Sequence, residues 1–182
     1  MNLEINQGIN NVKISIIFLS EVKIEEFKKS ILSCYNDRVS YKKNIIVLRI
    51  KYTCTIFYKP PGKYHVNVTK IKSLQDVDDA LQYLRTRLFH SSNFQLVKQT
   101  VDNISANFRL NSAISLHTIA RTLENASFNH ERFPACFVGF DNTQGKAIIF
   151  SSGCVNILGC KNAHQIESIW KKLKTQIKKI VV

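Results

Sequence analysis

The sequence predicts an α+β fold in which one strand-rich unit is written twice, with helices covering one face of an antiparallel sheet and leaving the other face bare. Three observations carry this. Segments of the two halves correspond at a nearly constant offset, strand-period alternation recurs, and each half closes on an apolar stripe at helical spacing.

The repeat comes first. Asn11 in NNVKISIIFLS lies against Asn103 in DNISANFRLNS, an offset of 92, and the same offset carries Ile24 of IEEFKKSIL onto Leu116 of LHTIARTLE. Ile56 and Phe57 match Ile149 and Phe150 at 93, and the run from Gly62 to Asn67 matches that from Gly153 to Leu158 at 91. The halves therefore divide near the polar HSSN stretch, giving units 1–92 and 93–182.

Each unit reads strand, short helix, several strands, long helix. In the second, Ile104, Ala106, Phe108 and Leu110 alternate with Asn103, Ser105, Asn107 and Arg109, the period of a half-buried strand. A helix is predicted over 115–125, then strands over 133–140 and 146–151 joined by the turn-rich DNTQG, and a further strand over 153–159. Ile166, Ile169, Trp170, Leu173, Ile177 and Ile180 then recur at helical spacing and leave Lys171, Lys172, Lys174, Lys178 and Lys179 to solvent. The first unit closes on Leu74, Val77, Leu81, Leu84 and Leu88, with Ser73 and Asp76 spaced as an N-terminal cap pair.

Parity along these strands lists the bare face. In the second unit it carries Asn103, Ser105, Asn107, Phe133, Ile148, Phe150, Asn156 and Leu158; in the first, Asn11, Lys13, Ser15, Phe57, Lys63, His65 and Asn67. Amides, cations and a few large apolar groups together make neither a core nor an ordinary solvated surface. Such a face asks for a partner.

Charge indicates which. The formal net charge is +13 and the pI about 9.7, favouring a polyanion, nucleic acid first and a membrane surface second. Residues 1–91 hold 15 Lys/Arg against 8 Asp/Glu and residues 92–182 hold 11 against 5, so no basic tail is the source. An apolar wedge beside amide donors suits the minor groove, where Asn meets adenine N3 and thymine O2 and Phe pushes between base steps.

Other classes are disfavoured. The apolar runs, such as ISIIFL at 14–19, are too short to span a bilayer, and the opening MNLEINQGINN lacks a secretory pattern. Five cysteines without a CxxC pair suggest reduced thiols in an intracellular protein. His65, His90, His117, His130 and His164 are scattered and no HExxH, GxSxG or P-loop occurs, so neither an enzyme nor a small-molecule substrate is expected. Cys160 and His164 lack further ligands, and no metal or cofactor is expected.

From Asn103 to about Lys174 the chain resembles a repeat of the TATA-box-binding protein family: NISA at the first strand, LHTIARTLENASFNHERFPACF through helix and strand, then KAIIFSSGCVNILGCK, with the 17-residue spacing from Phe133 to Phe150 kept. The resemblance implies a saddle of two pseudo-symmetric repeats forming one curved sheet with helices on its convex face, the first repeat degenerate. It implies a transcription initiation factor that bends A·T-rich promoter DNA through the minor groove, working in the nucleus or, if viral, at the site of viral transcription. Phe133 and Phe150 would be a wedge pair, Asn103 and Asn11 central base-reading amides and Ile148 a groove contact, with Arg132 and Lys161 at or near phosphates. Tyr41 would stand nearest the first unit's wedge position. Within the loop Gly139 to Lys146, Asp141, Asn142, Thr143 and Gln144 would meet a transcription factor IIB-like partner, and RNA polymerase would follow. Leu158, Cys154 and Ser105 depart from the family pattern. A rival reading is a protein-interaction module of the same fold that has lost strong bending.

Overall fold

The computed structural model describes residues 8–90, 93–110, 112–140 and 145–180. Along the chain run β1 (Ile9–Ser20), α1 (Ile24–Tyr35), a 3₁₀ turn (Asn36–Arg38), β2 (Val39–Lys42), β3 (Ile45–Arg49), β4 (Thr53–Lys59), β5 (Lys63–Ile71) and α2 (Gln75–Tyr83), which ends in a π-turn (Leu84–Leu88). There follow β6 (Phe94–Arg109), α3 (Leu116–Thr122), β7 (Ala126–Ser127), β8 (Ala135–Gly139), β9 (Lys146–Phe150), β10 (Cys154–Cys160) and α4 (Ala163–Lys178). The chain divides into two compact units, Asn11–Asp102 and a second built on residues 103–180 together with residues 8–10. Among the described residues no helix is long and apolar enough to cross a membrane.

In the first unit the strands lie in the order β2-β3-β4-β5-β1, every pair antiparallel. Alternate residues Ile14, Ile16, Ile46, Leu48, Ile56, Val66 and Val68 are fully buried, while their neighbours are not. Burying each such side chain contributes about 1.5–3 kcal/mol. The lid is Phe27 and Ile31 of α1 with Val77, Leu81, Leu84 and Leu88 of the second helix, four of the five stripe residues expected there. Phe18 stacks on Phe89 at 4.2 Å, and Phe27, Tyr64 and Phe94 close around them. Ser73 caps α2 as expected, its hydroxyl accepting from the Asp76 N–H at 3.1 Å.

The second unit repeats the plan as β6-β10-β9-β8-β7. Ile166, Ile169, Trp170, Leu173 and Ile177 of α4 are buried, and Phe108 stacks on Trp170 at 4.5 Å. Asn162 caps α4 by accepting from the Gln165 N–H at 2.9 Å, while the Gln165 side chain accepts from the Lys161 N–H at 2.6 Å, a reciprocal cap. The helix expected over 115–125 is shorter, because Leu123 turns extended (ψ 130) before Asn125 takes a positive φ of 60°.

Strand register refines the internal alignment. Phe57 and Phe150 remain equivalent at an offset of 93, but Asn67 pairs with Ser15 as Asn156 pairs with Asn107, an offset of 89 in place of the 91 inferred from sequence. The difference of four residues is a longer β4–β5 hairpin in the first unit. Because the correction is by two, no side chain changes face.

Candidate nucleic-acid interface

On the side of each sheet away from its helices, register puts named side chains in rows. In the second unit one row is Ser127–Phe137–Ile148–Asn156–Asn107, beside the pair Ala135–Phe150. Phe133 sits two residues before Ala135, just outside β8, and its ring joins those on this face. Its ring centroid is 5.4 Å from that of Phe137 and 6.2 Å from that of Phe150, and beneath the three rings Ala135 is buried. Phe133 is 41% exposed, Phe137 37% and Leu158 37%. A soluble surface that displays three clustered rings with Leu158 and the half-buried Ile148 carries an apolar patch ready for a partner.

Phe137 is absent from the face read off the sequence. Its signal is parity: Phe133, Ala135 and Phe137 alternate with Pro134 and Cys136, and following the alternation through the strand finds it.

The amides are held firmly. In the second unit the Asn103 oxygen accepts from the Gly159 N–H at 2.8 Å, and in the first the Asn11 oxygen accepts from the Lys70 N–H at 3.1 Å. Both N–H groups lie in β-bulges, where the register slips between Ile157 and Cys160 and between Val12 and Ile14. Gly159 has φ 84° and Lys70 φ 65°. With each oxygen engaged by backbone, the orientation of both amides is set. Asn107 is exposed and Asn156 half-buried in the same row.

Ser105 corrects an expectation. It is only 7% exposed, and its hydroxyl donates to the Asn10 side-chain oxygen at 2.8 Å, so it is covered and not available at the surface. Arg132 and Lys161 are both exposed, near the Phe133 cluster in sequence and at the start of α4 respectively. Asp141, Asn142, Thr143 and Gln144 lie outside the described residues.

The first unit's face is chemically different. Its middle row is Ser40–Val47–Thr55–Asn67–Ser15, and the next is Lys42–Ile45–Phe57–His65–Ile17. Phe57 is half-buried with His65 6.2 Å away. The Ser15 hydroxyl lies between the Asn67 side-chain oxygen, at 2.8 Å, and the Asp102 carboxylate, which also meets Lys13 at 3.3 Å. Tyr41 does not stand at a wedge position: it pairs with the buried Ile46, and the Lys28 ammonium of α1 lies 5.6 Å from its ring, so it belongs to the helix-covered side. By register the equivalent of Phe133 is Lys43, in the two-residue turn between Lys42 and Ile45. Sequence matching misses this because it weights ring for ring over strand pairing.

Comparison with known proteins finds relatives of the second unit and of the fold. A family model described as "Transcription factor TFIID (or TATA-binding protein, TBP)" matches residues 98–180. The TATA-box-binding protein of Pyrodictium occultum is 30% identical over 116 residues, covering 62% of this chain and 58% of that protein. That of Pyrococcus abyssi is 34% identical over 86 residues, covering 47% and 45%. The aligned segments thus span about half the length of these relatives. The solved structure of Methanococcus jannaschii TBP aligns with a TM-score of 0.76 at 24% identity, covering 95% of this chain and 98% of that one, which shows the same fold in both halves. The second unit thus matches the TATA-box-binding protein family in sequence, and the chain as a whole shares the fold of Methanococcus jannaschii TBP.

Proposed function

We propose that the chain is a transcription initiation factor that binds A·T-rich, TATA-type promoter DNA through the minor groove, bends it, and presents the complex to a transcription factor IIB-like partner and RNA polymerase. The observation that carries the reading is the ring cluster of exposed Phe133 and Phe137 with half-buried Phe150, on the same face as amides whose oxygens are already engaged by backbone. The minor groove of A·T pairs offers only acceptors, so amide nitrogens fit it and guanine's N2 amino group does not. Unstacking costs a few kcal/mol per step, which rings of this size offset by stacking and by the added contact of a bent duplex. The net charge of +13 supports phosphate contacts that fix position without reading sequence.

Binding to a TATA duplex and to a scrambled G·C-rich control at matched salt, with the bend angle recorded, tests this. Preference for the TATA duplex with strong bending is expected. Equal, salt-driven affinity for both duplexes without bending would support the interaction-module reading instead, which the Asp102 carboxylate on the first unit's face favours.

A further inference from the structure

The two units bear different instruments at equivalent places. At the outer end of its open face the second unit carries Phe133 with its ring against those of Phe137 and Phe150. Register substitutes Lys43 for Phe133, Val47 for Phe137 and Ile45 for Ala135 in the first unit, leaving Phe57 with only the His65 imidazole, 6.2 Å away, as a ring neighbour. The lengthened β4–β5 hairpin then adds Lys59 paired with Lys63 on that same face, and Lys42 pairs with Ile45 beside them. The Tyr58 N–H donates to the Asn44 carbonyl at 2.8 Å, which ties the two hairpin turns together at one end. Lys42, Lys43, Lys59 and Lys63 are all exposed, and no ion pair among the described residues engages any of them.

A wedge needs a broad, rigid apolar group supported from behind. Three rings in contact meet that need; a lone half-buried Phe57 beside an imidazole does not. Ammonium groups on flexible stems instead suit phosphate oxygens. We infer that the protein handles duplex DNA asymmetrically: the second unit unstacks a base step, while the first unit grips the sugar-phosphate backbone through Lys42, Lys43, Lys59 and Lys63 without inserting a side chain. This rests on the DNA-binding reading above.

Base unstacking is followed by 2-aminopurine placed at successive steps of a TATA duplex, and affinity by titration over a range of salt. Replacing Phe133 and Phe150 together by Ala should abolish every fluorescence increase, whereas Phe57→Ala should leave the increases intact at saturating protein. Both readouts hold whichever way round the protein lies on the duplex. Lys59→Gln with Lys63→Gln should flatten the dependence of log affinity on log salt by about 0.9 for each phosphate that is no longer neutralised, with unstacking unchanged. Unstacking that survives the Phe133/Phe150 change or falls with Phe57→Ala overturns the inference, as does an unaltered salt slope in the lysine variant. Failure to bind any duplex would instead remove the DNA-binding reading itself. All replaced side chains are at least partly exposed, and the lysine variant keeps the test open if the phenylalanine variants fold poorly.

Discussion

The Asn103 side-chain oxygen accepts the backbone N–H of Gly159 at 2.8 Å, inside a bulge where Gly159 takes a positive φ of 84°. The first unit holds the same motif with a worse residue, since Lys70 occupies that conformation at φ 65° under Asn11. An L-residue in this region costs roughly 1–2 kcal/mol, and glycine's greater freedom in the unfolded chain costs about 0.5–1 kcal/mol. Lys70→Gly is therefore expected to stabilise the protein by up to about 1 kcal/mol, and Gly159→Ala to destabilise it by about 1–2 kcal/mol. Asn103→Ala, which removes the bulge's acceptor, should cost about 1 kcal/mol or more. Urea denaturation of the three variants checks the signs; a destabilising Lys70→Gly would show that the bulge is not strained.

Phe137 gives the second prediction. Its ring supports Phe133 at 5.4 Å, and such aromatic pairs are worth roughly 0.5–1.5 kcal/mol beyond the area they bury. Because it is 37% exposed, Phe137→Ala should cost the free protein little. Affinity for a TATA duplex should fall about twofold to twelvefold, as roughly 0.5–1.5 kcal/mol corresponds to. An affinity equal to wild type would take Phe137 out of the interface.

These side chains show what a sequence discloses and what it hides. Strand alternation and helical stripes are local, so the two-unit plan, the buried faces and the positions of Phe133, Phe150, Asn103 and Asn11 can be read directly. Register is not local. The sequence puts Tyr41 on the open face because it is a ring near the expected position, yet pairing with Ile46 turns it to the helices, and the two-residue turn at Lys43 and Asn44 decides this. Ser105 obeys the alternation and is still covered, because the Asn10 side chain from another part of the chain lies over it. The Lys59–Lys63 pair, although visible as residues, acquires meaning only when hairpin lengths are compared strand by strand.

Asp102 supplies a pH prediction. Burial opposes its ionisation, but hydrogen bonds from Ser15, Lys13 and Thr100 and the Lys13 charge outweigh this and lower its pKa below the ordinary carboxylate value. A carboxyl with a depressed folded pKa contributes stability that is fully present above the unfolded value of about 3.9 and is lost as pH falls through the folded value. The difference in melting temperature between wild type and Asp102→Asn should thus be constant from about pH 7 to pH 5 and shrink below about pH 4. The same variant leaves Lys13 uncompensated and removes a negative charge from the face. DNA affinity should therefore rise at low salt, with the gain fading as salt screens it. A variant that binds more weakly at low salt would mean that Asp102 positions Ser15 and Lys13 for binding.

Thiol reactivity reports on the open face and the core separately. Burial pushes the Cys54 thiol up to about 12 and Cys160 up to about 11, and it raises Cys136, whereas Cys34 is exposed and Cys154 partly so. The thiolate is the attacking form, so groups raised this far carry almost none of it near neutral pH, and burial also denies access to the reagent. Iodoacetamide at about pH 8 should therefore label Cys34 first and Cys154 next, leaving Cys54, Cys136 and Cys160 intact until denaturant is added. One step beyond the Val155–Ile149 pair, Cys154 stands opposite Phe150 in the second unit, so a saturating TATA duplex should slow its labelling and leave Cys34, at the end of α1, unaffected. Equal protection of both would mean that DNA does not lie on the face that carries the rings, and mass spectrometry of the labelled peptides distinguishes the outcomes.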